Sequence, residues 1–145
     1  MKKEIQKTWH FNQSPQEVWK YLTKPELIEQ WLMKNNFQPT VGYKFQFTFV
    51  AKEGSPYYGE VDCEVLEVKP FTKLSYTWNG SNNDKSRSFN STVAWTLIPK
   101  DDGTELQLSH NGFTVLEDIL AHSSGWDSCL NKFKESIIKN NVKSY

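Results

Sequence analysis

In VGYKFQFTF, residues 41–49, the chain settles into a period of two: Phe45, Phe47 and Phe49 alternate with Gln46 and Thr48. Alternation of this kind puts the three rings on one side of a β-strand. The same period continues downstream. After a turn signal at Gly54-Ser55-Pro56, Val61, Cys63 and Val65 alternate with Glu60, Asp62 and Glu64. Leu66 and Val68 then carry the apolar parity onward after a one-residue slip, which predicts a β-bulge, and Pro70 ends the strand. Leu74, Tyr76 and Trp78 predict the next strand and Val93, Trp95 and Leu97 another, with the polar run NGSNNDKSRSFN (79–90) between them reading as a mobile loop. Asp102-Gly103 is a hairpin signal, and Leu106, Leu108 and His110 follow it as a last strand. Short turns between successive strands imply an antiparallel meander.

Upstream of this meander, Ile5, Trp9 and Phe11 share one parity, with Lys7 interrupting, and predict a first strand. Ser14-Pro15-Gln16-Glu17 has the form of a capping box with proline at the first helical position, and Val18, Trp19 and Leu22 mark the buried side of a short helix. Thr23-Lys24-Pro25-Glu26 repeats that signal ahead of Leu27, Ile28 and Trp31. Downstream, Thr114-Val115-Leu116-Glu117 is a third capping signal. Ile119, Ser123, Trp126, Leu130, Phe133 and Ile137 then recur at spacings of 4, 3, 4, 3 and 4, one face of a helix from Val115 to about Lys139. Asp127, Asn131, Lys134 and Glu135 take the opposite face. The sum is an α+β fold: six antiparallel strands, two short helices and one long C-terminal helix packed against the sheet in two layers.

The 145 residues form one predicted domain, 1–145, large enough to bury about 70% of the surface of the unfolded chain. Lys plus Arg and Asp plus Glu both number 17, and the only arginine is Arg87. Nucleic acids and anionic membranes require a concentrated positive field, so neither is an expected partner. Cys63 and Cys129 lie in no metal or redox spacing, and the N-terminal MKKEIQKTWHF lacks the apolar run of a secretion signal. A cytosolic location with reduced thiols is expected, with no membrane insertion, metal or cofactor.

Six Trp, six Tyr and nine Phe make the chain rich in large rigid side chains, which either fill a core or line a pocket. The face built from Phe45, Phe47, Phe49, Tyr76, Trp78, Trp95, Leu106, Leu108 and His110, closed by Trp126 and Leu130, is the candidate ligand-binding surface. Ser123 and Gly125 place small residues on the long helix where a filled core favours leucine. Tyr76, Trp78 and His110 bring polar tips to an apolar face. His110 reads either as a ligand partner or general base, or as a structural histidine bonded to a neighbouring backbone group or hydroxyl. His122 is a candidate for the pocket rim, and His10 falls on the solvated parity. Glu60, Asp62, Glu64 and Glu105 take the outward parity, and no carboxylate is assigned to the inward faces. The sequence therefore offers no evident acid–base pair, nucleophile triad, metal cluster or phosphate loop.

The order of elements, with FNQSPQEVWKYLTKPELIEQW (11–31), VGYKFQF (41–47), EVLEVKPFTKLSYTW (64–78), GTELQLSHNGF (103–113) and HSSGWDSCLNKF (122–133), resembles the family named for the activator of heat-shock protein 90 ATPase homologue, within the START or Bet v 1-like superfamily. The resemblance implies a helix-grip fold, a curved sheet around the long helix with a cavity between them, and pairing of the first strand with the last. Three functional expectations follow, the first from the aromatic inward face, the second from the family's name and the third from what this fold can host. The first is binding of an apolar small molecule that is lipid-like, polyketide or flavonoid-like. The second is interaction with a heat-shock protein 90 chaperone, although only the C-terminal portion of the eukaryotic activators is matched. The third is a cyclase or aromatase-like reaction using His110 and Tyr76 as acid–base groups.

Overall fold

A computed structural model describes residues 4–49 and 57–142, the last two by backbone alone, so the Gly54-Ser55-Pro56 turn lies outside the described residues. Strand β1 (Ile5–Phe11) leads into helices α1 (Pro15–Thr23) and α2 (Pro25–Trp31). Strands β2 (Lys34–Asn35), β3 (Lys44–Thr48), β4 (Glu60–Lys69), β5 (Lys73–Ser81), β6 (Ser88–Lys100) and β7 (Gly103–Asn111) follow, and α3 (Leu116–Val142) closes the chain. The strands form one curled antiparallel sheet in the order β1-β7-β6-β5-β4-β3-β2, so the first strand does pair with the last.

The sheet has seven strands, not six. The extra strand, β2, is too short for a period to be read, and it exists because Lys34 pairs with Thr48 and Asn35 with Phe47. Asn35 fixes this turn of chain: its amide donates to the Pro25 and Met33 carbonyls at 3.2 and 3.0 Å, and its Oδ1 accepts from the Phe37 N–H at 3.1 Å. The segment 79–90 also departs from expectation. It continues β5 and β6 into a long hairpin, with Asn79 opposite Asn90 and Ser81 opposite Ser88. Its composition is polar, but Phe89 is buried and the ladder is completed by the neighbouring strand rather than by side-chain preference.

Several local signals hold. Ser14 Oγ accepts from the Glu17 N–H at 3.2 Å with Pro15 next to it in the first turn of α1. The second signal does not act as a cap: Lys24 stands at the N-cap of α2 without a side-chain bond, and the Thr23 hydroxyl donates back to the Trp19 carbonyl. The β4–β5 register shifts between Val65 and Glu67, the anticipated bulge, but Leu66 is turned outward by it and is exposed. The last hairpin turns at Asp101-Asp102, both at positive φ. Gly103 sits one place later because a Cβ there would lie 2.1 Å from the Phe11 carbonyl oxygen.

The C-terminal half of α3 grips a solid core. Leu130, Phe133 and Ile137 are fully buried. The Phe133 ring lies 4.7 Å from Phe11 and 4.7 Å from Trp31, while Trp31 meets Trp95 edge-on at 5.8 Å. The Trp31 indole donates to the Tyr21 carbonyl at 2.8 Å, so its one polar atom is satisfied. Each such side chain stabilises the fold by about 1.5–3 kcal/mol through burial.

Candidate functional site

The inward face of β3, β5 and β6 is packed ring against ring. Phe45 meets Phe37 at 5.0 Å, Phe47 at 5.3 Å and Tyr76 at 5.4 Å. The Tyr76 hydroxyl accepts from the Trp95 indole at 3.0 Å, and burial pushes its phenol above the ordinary tyrosine range. Leu108 and Leu130 are buried in the same layer. This part of the expected ligand surface encloses packed side chains.

His110 belongs to that layer and is saturated. The Trp126 indole can only donate, so His110 Nδ1 accepts its proton at 2.9 Å and the imidazole hydrogen must reside on Nε2. Nε2–H donates to Ser91 Oγ at 2.8 Å, and Ser91 donates to the Trp78 carbonyl at 2.6 Å. Desolvation, with a smaller contribution from His122, takes the His110 pKa from 6.5 down to about 2, so the ring is neutral. His110 and Tyr76, the acid–base pair of the cyclase-like expectation, both lie behind the pocket wall and have their polar atoms engaged.

A hollow does exist, but it is displaced toward the N-terminal half of α3. It is an open-mouthed cavity of about 160 Å³. Ala121, His122, Gly125 and Cys129 line it from the helix; Val61, Trp78 and Phe89 line it from the sheet; Met33, Phe49, Tyr57 and Tyr58 stand around the remaining sides. Of the residues anticipated for ligand contact, Phe49, Trp78, His122 and Trp126 border this cavity. Phe45, Phe47, Tyr76, Trp95, Leu108, His110 and Leu130 do not, and instead belong to the packed core. A Cβ built on Gly125 would meet no atom within 4 Å, so the glycine faces empty space.

Sequence reasoning missed the polar wall. Asp118 is buried at 1% exposure, against the expectation that no carboxylate turns inward. It accepts from the Tyr57 hydroxyl at 2.9 Å and from Arg87 Nη2 at 3.0 Å, both at Oδ1, while Arg87 Nε reaches Oδ2 at 3.4 Å. An inward carboxylate is tolerable here because the guanidinium compensates it. His122 stands one turn further along. Its Nδ1–H donates to the Asp118 backbone carbonyl at 2.8 Å, and its Nε2 accepts the Trp78 indole hydrogen at 3.3 Å. The Tyr57 ring packs on it edge-on at 5.2 Å. A signal for this wall was present: Asp118, His122, Gly125 and Cys129 repeat the 4, 3, 4 spacing of the apolar face, set back by one residue.

Three ionisable groups of the wall are shifted toward their neutral forms, and Glu60 also lines the cavity. Burial lowers the His122 pKa, opposed in part by its bond to the Asp118 carbonyl. Burial likewise raises the Cys129 thiol and, with the Asp118 contact, the Tyr57 phenol. Such a wall suits the holding of an uncharged apolar body, with no thiolate or phenolate at hand for nucleophilic chemistry. Among the described residues no helix is long and apolar enough to cross a membrane.

Comparison with known proteins places these features in a family. No curated protein matches the sequence. Among solved structures, protein MLL2253 from Mesorhizobium loti is 34% identical, with a TM-score of 0.83 over 94% of this chain and 97% of that one. DynU16, a protein of the dynemicin biosynthetic locus, shares the fold at 19% identity and a TM-score of 0.78, over 97% of this chain and 49% of that one. The Aha1 dimer from Colwellia psychrerythraea shares it at 18% identity and a TM-score of 0.73, over 92% of this chain and 95% of that one. The family model described as Activator of Hsp90 ATPase homolog 1-like protein matches residues 12–137, and the chain belongs to that family.

Proposed function

We propose that this protein binds an apolar small molecule, with one aromatic ring or a comparable apolar group seated between the N-terminal half of α3 and the sheet. The observation that carries this reading is the cavity of about 160 Å³ lined by Trp78, Phe89, Trp126 and the open side of Gly125. Its size narrows the ligand. Pockets for whole drug-sized molecules run from about 300 Å³ upward, whereas an apolar cavity of roughly 150 Å³ accepts a single benzene. A lipid-like, polyketide or flavonoid-like ligand therefore enters by one ring or chain end and leaves the remainder at the mouth. A ligand of about 20 heavy atoms at roughly −0.3 kcal/mol per atom binds at tens of micromolar.

Two cavity-lining tryptophans, Trp78 and Trp126, give the readout. Titration with flavonoids, polyketides and fatty acids is expected to change tryptophan fluorescence saturably for at least one class. Gly125→Leu, which projects a side chain into unoccupied space, abolishes that response while the thermal melt stays cooperative. Saturation by no compound, or equal saturation in Gly125→Leu, excludes the cavity as the site. A heat-shock protein 90 partner, the other reading raised by the family's description, would instead change the chaperone's ATPase rate and leave the small-molecule titrations flat.

A further inference from the structure

The cavity is smaller than most ligands of the proposed classes, so what fixes its width decides what it admits. Its helix side and sheet floor are parts of continuous elements. Tyr57 is different: it precedes β4 and meets the sheet at an isolated bridge to Asn82, next to the 3.1 Å bond from the Tyr58 N–H to the Ser81 carbonyl. Arg87 lies at the far end of the β5–β6 hairpin, where Asn82 and Arg87 close the turn through a 3.0 Å backbone bond and a 2.9 Å side-chain bond. Both side chains cross to α3 and end on one carboxylate, that of Asp118. The same residue's backbone carbonyl orients His122, whose ring forms the wall beside Tyr57. Asp118 thus joins the hairpin end of the sheet to the first turns of the helix, and it is the one buried carboxylate among the described residues.

We infer that Asp118 is a positioning residue that sets the size limit of the cavity, by tethering Tyr57 and Arg87 across its edge. The inference rests on the binding reading above and specifies how that site selects. With the tether closed, Tyr57 stands against His122 and Phe89 and the cavity admits one ring. With it released, the Tyr57 wall and the hairpin end move away from α3 and a larger ring system enters. The three bonds are charge-assisted or lie beside a charge, so they hold the narrow form firmly without making the wall part of the sheet ladder.

The test compares two uncharged probes, benzyl alcohol with one ring and 2-phenylchromone with three, titrated by amide chemical shifts into the full chain and its variants. The quantity read is the ratio of the two dissociation constants. Asp118→Asn, which removes the charge that holds Arg87, is expected to shift the ratio at least about tenfold toward the three-ring probe. Tyr57→Phe keeps the ring and the Asp118–Arg87 pair, and is expected to shift it about threefold in the same direction. A purely structural weakening lowers both affinities together and leaves the ratio fixed, so an unchanged ratio in both variants overturns the tether. If Asp118→Asn does not fold, the ratio in Tyr57→Phe decides alone. Saturation by neither probe in any form removes the binding reading and this inference with it, an outcome distinct from binding with a constant ratio.

Discussion

The two halves of α3 lie on the same sheet and reach opposite results. From Leu130 onward the helix inserts Leu130, Phe133 and Ile137, and the space beneath is filled by Phe11, Trp31 and Trp95. From Asp118 to Cys129 it presents a carboxylate, an imidazole, a glycine and a thiol, and the space stays open. Both halves are helical; they differ in the side chains they direct at the sheet, bulky at Leu130, Phe133 and Ile137 and smaller or polar at Asp118, His122, Gly125 and Cys129 beside the single indole of Trp126. The contrast also separates two kinds of stabilisation: close apolar packing in one half, and a small set of directed polar bonds in the other.

The largest effect expected from this contrast is in the filled half. Phe133→Ala should cost about 3–5 kcal/mol in urea unfolding, while Cys129→Ala, one turn back on the cavity wall, should cost less than about 1 kcal/mol. Similar losses for the two would erase the distinction. Acid should act next most strongly. Burial holds His110 at a pKa of about 2 against 6.5, so its ring stays neutral in the folded chain, and burial lowers His122 as well. The unfolded chain binds more protons below about pH 6.5; stability is therefore full above that value and falls with acid, by about 1.4 kcal/mol per pH unit for each histidine kept neutral. Unfolding curves that coincide at pH 7.5 and 5.5 would contradict this packing of His110. The smallest effect has the opposite sign. Gly125→Ala should raise stability by about 0.5–1 kcal/mol, because helix propensity improves and the new methyl meets nothing. A melting temperature lowered by that change would mean the space is closed.

The strands were legible wherever one side faces the core and the other faces water, because burial imposes a period of two on Phe45–Phe47, Val61–Val65 and Leu74–Trp78. Strand β2 was not, since a two-residue strand is defined by its partner and by Asn35, not by any repeat. The hairpin end at 79–90 was hidden for a related reason: its asparagines and serines have little strand preference, and pairing across the hairpin supplies what composition does not. Aromatic inward residues were readable as a set, but whether rings touch or leave a gap depends on helix position, which alternation does not encode. That is why Phe45 and Tyr76 turned out to be packed while Tyr57 and Cys129 border the opening. Asp118 escaped because a carboxylate in a helix's first turn also reads as an N-terminal charge preference, and its partner Arg87 is 31 residues away.

The relay from the Trp126 indole through His110 and Ser91 to the Trp78 carbonyl lies at the boundary between the two halves. It ties Trp126 to the sheet at the point where the filled half, with Leu130 and Phe133, gives way to the half bonded through Asp118. At about 1.5 Å per residue, roughly 12 Å of helix separates this point from Asp118. The stretch of α3 that borders the cavity is thereby pinned at both ends by directed polar bonds.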